Sequence, residues 1–156
     1  MMYRCLIANR GEIAVRIIRA CRELNIETVA IYAKGDENSL HVSLADQAIC
    51  IGEANPLDSY LNIDRIISAA KVTESNVIHP GYGFLSESTN FAKAVEDNHI
   101  HFIGPSKTTM EMMGDKITAR QTVKQAGVPV IPGSNDAVQS VDEIKLLSKE
   151  IGFPVV

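Results

Sequence analysis

The sequence holds three cysteines with no Cys-x-x-Cys among them. Cys5 and Cys50 fall in apolar, strand-like runs and Cys21 in a helical pattern. All three read as small buried hydrophobes in a reducing compartment, not as a disulfide framework or a metal site. His99 and His101 stand two apart and can share a strand face, but no third ligand lies near them to make a zinc site. No apolar run approaches the length of a bilayer span, so no membrane association is expected. Asn9, Arg10 and Glu12 interrupt the only apolar N-terminal stretch, so no secretory signal is expected and a cytoplasmic location follows. The formal net charge of -4 offers no basic footprint for nucleic acid. Phosphate fingerprints are missing too: there is no G-x-G-x-x-G after the first strand and no Gly-Lys-Ser or Gly-Lys-Thr. A dinucleotide site at the first turn, Asn9-Arg10-Gly11-Glu12, is disfavoured further because Glu12 stands where a pyrophosphate wants neutral amides.

What is present is a globular pattern. A hydrophobic share of 46% and a charged share of 22% over 156 residues suit one ordinary domain with a sizeable core. Residues 3–8 form a short apolar strand. Ile13, Ile17, Ala20, Cys21 and Leu24 then recur at helical spacing, and residues 27–32 form a β-branched strand. This strand–helix–strand unit predicts parallel strands and a right-handed crossover. The alternation continues with a short helix over 40–45, a strand over 47–51, a helix over 60–71 and a strand over 76–79. A helix over 89–98, a strand over 100–103 and a helix from a Ser106 cap to Met113 complete it. The fold class is therefore α/β, an open, mostly parallel sheet with helices on both faces.

The pattern changes near Gly114. Asp115 is a good cap for a helix reaching Ala126, residues 128–133 are extended, and Ser140 with Glu143 opens a helix to Ile151 as a capping box. Residues 1–114 are thus expected to form the α/β domain and residues 115–156 the beginning of a second. The closing Phe153-Pro154-Val155-Val156 reads as the start of a buried strand with no turn behind it, so this second domain is expected to be incomplete.

Three segments invite chemistry. In His79-Pro80-Gly81-Tyr82-Gly83-Phe84-Leu85-Ser86-Glu87, two glycines flank Tyr82 at a strand's carboxyl end. That arrangement serves equally a ligand-facing tyrosine or a tight turn with Tyr82 packed down. In Met113-Gly114-Asp115-Lys116, a lysine in the first turn opposes the helix dipole. It can meet a phosphate, though an exposed lysine is the plainer reading. On the first helix, Arg16, Arg19 and Glu23 share one face at i, i+3 and i+7, while Ile13, Ile17, Ala20 and Leu24 are expected to pack on the sheet.

Taken in order, these segments resemble the biotin carboxylase family. Residues 7–14 (Ile-Ala-Asn-Arg-Gly-Glu-Ile-Ala) are similar to its N-terminal signature, and residues 79–87 to its His-Pro-Gly-Tyr-Gly-Phe-Leu-Ser-Glu segment. Phe102-Ile103-Gly104-Pro105, Met113-Gly114-Asp115-Lys116 and Val130-Ile131-Pro132-Gly133 follow at the family's spacing. The resemblance spans the whole chain. It implies the Rossmann-like domain that precedes an ATP-grasp region, in an ATP-dependent ligase. Such enzymes use MgATP (or the manganese complex) and bicarbonate to carboxylate biotin on a carrier protein, in the acetyl-CoA carboxylase of fatty acid synthesis. It implies Lys116 as an ATP contact, Tyr82 and Gly83 as lining of the biotin pocket with Glu87 beside it, and Arg16, Arg19 and Glu23 as a homodimer contact. The implied partners are the biotin carboxyl carrier protein and a carboxyltransferase.

The family's glycine-rich loop, acidic metal ligands, bicarbonate-binding side chains and catalytic glutamate belong beyond Val156. No catalytic residue and no metal ligand is therefore expected here, nor a tightly bound cofactor. The same domain of a pyruvate carboxylase or an acyl-CoA carboxylase α chain fits the motifs as well. Ser59-Tyr60-Leu61-Asn62-Ile63 leans toward the bacterial acetyl-CoA component. From another class, a non-catalytic flavodoxin-like binding module fits the alternation. A phosphoacceptor receiver does not, because the first turn lacks an acidic pair.

Overall fold

A computed structural model describes residues 3–134 and 138–155. The chain divides into two compact units, Met1–Lys107 and Thr108–Val156. No helix among the described residues is long and apolar enough to cross a membrane.

The first unit is a five-stranded parallel sheet in the order β3-β2-β1-β4-β5. Its strands are β1 (Arg4–Ile7), β2 (Glu27–Ala33), β3 (Gln47–Gly52), β4 (Val77–His79) and β5 (His101–Phe102). Its helices are α1 (Gly11–Glu23), α2 (Leu40–Leu44), α3 (Ile63–Val72) and α4 (Thr89–Asp97). α1 packs beside α2 and α3 beside α4, which makes the two helical layers of a doubly wound sheet. Cys5 and Ile7 of β1 join Ala14, Ile17, Ile18 and Cys21 of α1 in one core, and Leu6 points to the other face by the strand period. The strand order is the Rossmann order, not the flavodoxin one, so the flavodoxin-like alternative does not describe this sheet.

Several local expectations are corrected. The sheet-facing stripe of α1 is Ala14, Val15, Ile17, Ile18 and Cys21. Ala20 is exposed, and Leu24 lies just past the helix, exposed at its C-cap. Cys50 is exposed, because β3 is an edge strand with only half its residues covered. His99 stands before β5 in a left-handed turn at φ 57, so it shares no strand face with His101. The third helix starts at Ile63, not at residue 60. A 3-10 turn at Pro56–Asp58 comes first, and the Asn62 side chain then accepts the Arg65 amide as cap.

The second unit contains α6 (Lys116–Gln125) and α7 (Val141–Ile151), after α5 (Lys107–Gly114), which begins at the junction of the units. Asp115 caps α6 by accepting the Thr118 amide at 2.8 Å. Ser140 accepts the Glu143 amide, but Glu143 returns to the amide of Gln139, one residue outside the expected box. Phe153 is 81% exposed and forms no strand, contrary to the buried strand expected there. Val156 lies outside the described residues.

Candidate functional site

Strand order reverses between β1 and β4. In such sheets, ligands gather beyond the carboxyl ends of the two strands that flank the reversal. Here that place is built by consecutive residues at the end of β1. Asn9 is 3% exposed, and its Nδ2 donates to the carbonyl oxygens of Pro80 at 2.9 Å and Tyr82 at 2.8 Å. Its Oδ1 accepts the Arg10 amide at 3.0 Å. One buried amide side chain thus fastens the segment after β4 to the end of β1, with its main polar valences used. Gly81 makes this approach possible. It sits at φ +68, and a Cβ there would stand 2.5 Å from Asn9 Nδ2. The Gly81 amide donates to His79 Nδ1 at 3.0 Å, and burial holds the His79 imidazole below its ordinary pKa. The ring is therefore neutral, with its proton on Nε2.

Arg10 extends the construction. Its guanidinium carbon lies 5.2 Å from the centre of the Tyr60 ring and 5.7 Å from that of Phe84. The two rings stack at 5.2 Å with an interplanar angle of 15°. Arg10 Nη1 pairs with Asp36 Oδ2 at 3.3 Å, and the same oxygen accepts the Tyr60 hydroxyl at 2.7 Å. The Tyr60 oxygen in turn accepts the Ala33 amide at 3.0 Å. Burial, with the Asp36 hydrogen bond second, pushes the Tyr60 hydroxyl well above its ordinary pKa, so it stays a donor. The sequence does not single out Asp36, and it offers Arg10, Tyr60 and Phe84 only as motif letters.

Of the residues singled out beforehand, Tyr82 is 72% exposed, and its backbone is held while its side chain stands free of the core. Gly83 sits at φ +67 with open space where a Cβ would be. Glu87 is exposed, immediately before Ser88, which caps α4 by accepting the Phe91 amide at 3.2 Å. These three occupy one continuous segment. Lys116 belongs to the second unit, exposed at the first position of α6. Backbone hydrogen bonding, first from Thr118, holds the neighbouring Asp115 carboxyl below its ordinary pKa, so the helix start already has its anion. The dipole argument for a phosphate at Lys116 therefore loses its force, and the family resemblance is what remains. Arg16, Arg19 and Glu23 are exposed on α1, and among the described residues none of them makes an ion pair. Arg22 is occupied, donating to the Leu44 carbonyl. Among the described residues, no three His, Cys, Asp or Glu side chains gather to hold a metal ion.

Comparison with known proteins agrees with this architecture. Residues 1–110 match the biotin carboxylase N-terminal domain, and residues 115–156 match the ATP binding domain of the carbamoyl-phosphate synthase L chain. The chain belongs to the biotin carboxylase N-terminal domain family. It is 54% identical over 156 residues to biotin carboxylase 1 of Bacillus subtilis, covering 100% of this chain and 35% of that protein. Among solved structures, it resembles the biotin carboxylase subunit of a pyruvate carboxylase (TM-score 0.84, 53% identity, 99% of this chain and 34% of that one). It also resembles the biotin carboxylase domain dimer of Hydrogenobacter thermophilus 2-oxoglutarate carboxylase, solved with MgADP, ADP and bicarbonate (TM-score 0.90, 50% identity, 99% and 34%). The chain thus spans about a third of the length of these relatives.

Proposed function

We propose that this chain is the N-terminal part of an ATP-dependent biotin carboxylase, the component that carboxylates biotin on a carrier protein before a carboxyltransferase takes over. The ordered match of residues 1–110 and 115–156 to the two family regions carries this reading. In the complete enzyme, bound MgATP would supply the phosphoryl group that activates bicarbonate. This chain's own part is to present the Tyr82–Gly83 backbone to biotin, with Glu87 nearby, and one cation, Lys116, to ATP. An exposed Tyr82 on a backbone fastened by Asn9 suits a ligand-facing aromatic held at fixed position. We place the boundary of the first domain after Gly114, because Asp115, the first residue of the second matched region, caps a new helix, although the compact units divide earlier, after Lys107.

We assign the enzyme to the cytoplasm and to the acetyl-CoA carboxylase of fatty acid synthesis. The identity of 53% to a pyruvate carboxylase subunit stands level with 54% to the Bacillus protein, which keeps the pyruvate reading in contention. Carboxyl transfer from the complete enzyme to acetyl-CoA, and not to pyruvate, would decide for the first.

Alone, the chain should not turn over. Phosphoryl transfer needs a metal clamp and charge stabilisation around the phosphates, and the family resemblance puts the residues that supply them beyond Val156. With MgATP, bicarbonate and free biotin, ADP release should equal the no-protein control. Biotin-dependent release above that level would refute the assignment of the catalytic groups to residues outside this chain.

Lys116 should matter to ATP affinity in the complete enzyme. A charge-assisted contact to phosphate contributes roughly 1.5–3 kcal/mol. Lys116→Ala should therefore raise the Michaelis constant for ATP about tenfold or more. An unchanged constant would make it an ordinary surface lysine.

A further inference from the structure

Two glycines at positive φ, Gly81 and Gly83, leave the segment around Tyr82 with unusual backbone freedom, which side-chain anchors restrict alongside the backbone bond from the Ser86 amide to the Gly83 carbonyl. The first anchor is Asn9, which holds the carbonyls of Pro80 and Tyr82. The second lies on the far side of Gly83. Phe84 adopts φ 42, a conformation that bulky residues rarely accept without support, and its ring stacks on Tyr60. Tyr60 is itself fully buried, with its hydroxyl satisfied by Asp36 and Ala33. Its placement does not need Arg10. The Arg10 guanidinium is half-exposed, makes one ion pair with Asp36, and spreads over both rings. What it adds is one group that touches both rings at once from beside the stack, at nearly equal distances from their centres.

We propose that Arg10 is a positioning residue for the Tyr82–Gly83 segment: pinned by Asp36, it bridges the Phe84 and Tyr60 rings and ties the first to the second, so that consecutive residues Asn9 and Arg10 fix the two ends of the segment. This rests on the reading that the segment lines the biotin pocket. Arg10 touches no substrate in this scheme. It acts through Phe84, which is why a planar cation suits the position and an ammonium does not.

The test uses the complete enzyme with Arg10→Gln, Arg10→Lys and Asp36→Asn. Two quantities are read: amide hydrogen exchange over residues 80–88, and the Michaelis constants for biotin and ATP. In Arg10→Gln, exchange over 80–88 should quicken while the strands keep their protection. The constant for biotin should rise about tenfold, and that for ATP should stay within about twofold. Arg10→Lys should recover only part of the loss. Asp36→Asn leaves an acceptor for the Tyr60 hydroxyl and removes the anchoring charge, so it should give the same pattern at smaller size, and it serves if Arg10→Gln does not fold. Unchanged exchange over 80–88 overturns the positioning role whatever biotin does. Faster exchange with an unchanged biotin constant instead sinks the pocket reading, and Arg10's part in the reaction with it. A joint rise of both constants with a general loss of protection would mean that Arg10 merely supports the fold, and that too overturns the proposal.

Discussion

Gly81→Val should cost this protein about 3–5 kcal/mol of stability, against roughly 1–2 kcal/mol for Gly83→Val. Both glycines hold nearly the same backbone conformation, φ +68 and φ +67, so both variants incur the left-handed penalty of a β-branched residue. They differ in what the new side chain meets. At position 83 there is open space, whereas at 81 a Cβ stands 2.5 Å from Asn9 Nδ2, 2.7 Å from its Cγ and 2.8 Å from its Cβ. Asn9 is buried and cannot step aside without releasing the carbonyls of Pro80 and Tyr82. Each buried polar group left without its partner costs roughly 1–3 kcal/mol. For a sheet unit of this size the melting temperature of Gly81→Val should fall by roughly 15 °C or more, and that of Gly83→Val by much less. In the complete enzyme, Gly83→Val should lose affinity for biotin out of proportion to its lost stability, since its strain falls on the segment beside Tyr82. Melting curves that coincide for the two variants would show that the contact with Asn9 is not what demands glycine at 81.

The same contrast explains what could be read from the sequence and what could not. The alternation of strands and helices was legible because each strand of the first unit carries an apolar run and each connection its own turn or cap. The register of α1 was misjudged because Ala20 and Leu24 extend the apolar spacing. Yet β1 offers Cys5 and Ile7 to a stripe centred on Ala14, Ile18 and Cys21, and tertiary packing chose that stripe. The apolar stripe of Leu61, Ile63, Ile66, Ile67 and Ala70 predicts a helix that begins at Tyr60. Asn55 and Asn62 cap separate elements on either side of it, which frees Tyr60 to turn into the core and reach Asp36. The motif around Tyr82 was visible as letters, but its anchoring was not. Asn9 and Arg10 follow β1, Asp36 follows β2, Tyr60 follows β3 and Phe84 follows β4, and only the parallel order of β3, β2, β1 and β4 brings those loops to one end of the sheet. Periodicity reports what faces a core along one element. It carries no information on which loops the sheet will gather.

The charged face of α1 was legible for the opposite reason, since it lies within one element. Arg16, Arg19 and Glu23 are exposed, and the exposed Ala20 lies among them, leaving room for close approach. Arg22 is already spent on the Leu44 carbonyl, and among the described residues Arg16 and Arg19 of this face make no ion pair. Arg19 and Glu23 stand at i and i+4 but make no ion pair within the helix, where this order of charges is the weaker one. A two-fold axis beside the helix would let Arg19 of one protomer meet Glu23 of its partner, and the reverse, from a single self-complementary patch. Arginine suits such pairing because its planar fork binds a carboxylate through two parallel bonds. Arg19→Glu would then set like charges against each other at two symmetric places. With truncation of one partner of an interfacial pair costing roughly 2–5 kcal/mol, the dimer dissociation constant should rise on the order of a hundredfold or more. Sedimentation velocity on the complete enzyme at micromolar concentration should show the variant moving toward the monomer while it keeps its melting temperature, because the substituted side chain leaves the sheet-facing stripe untouched. Glu23→Arg combined with Arg19→Glu reverses both signs and should restore the dimer. A variant that sediments as the unmodified enzyme does would place the contact on another face.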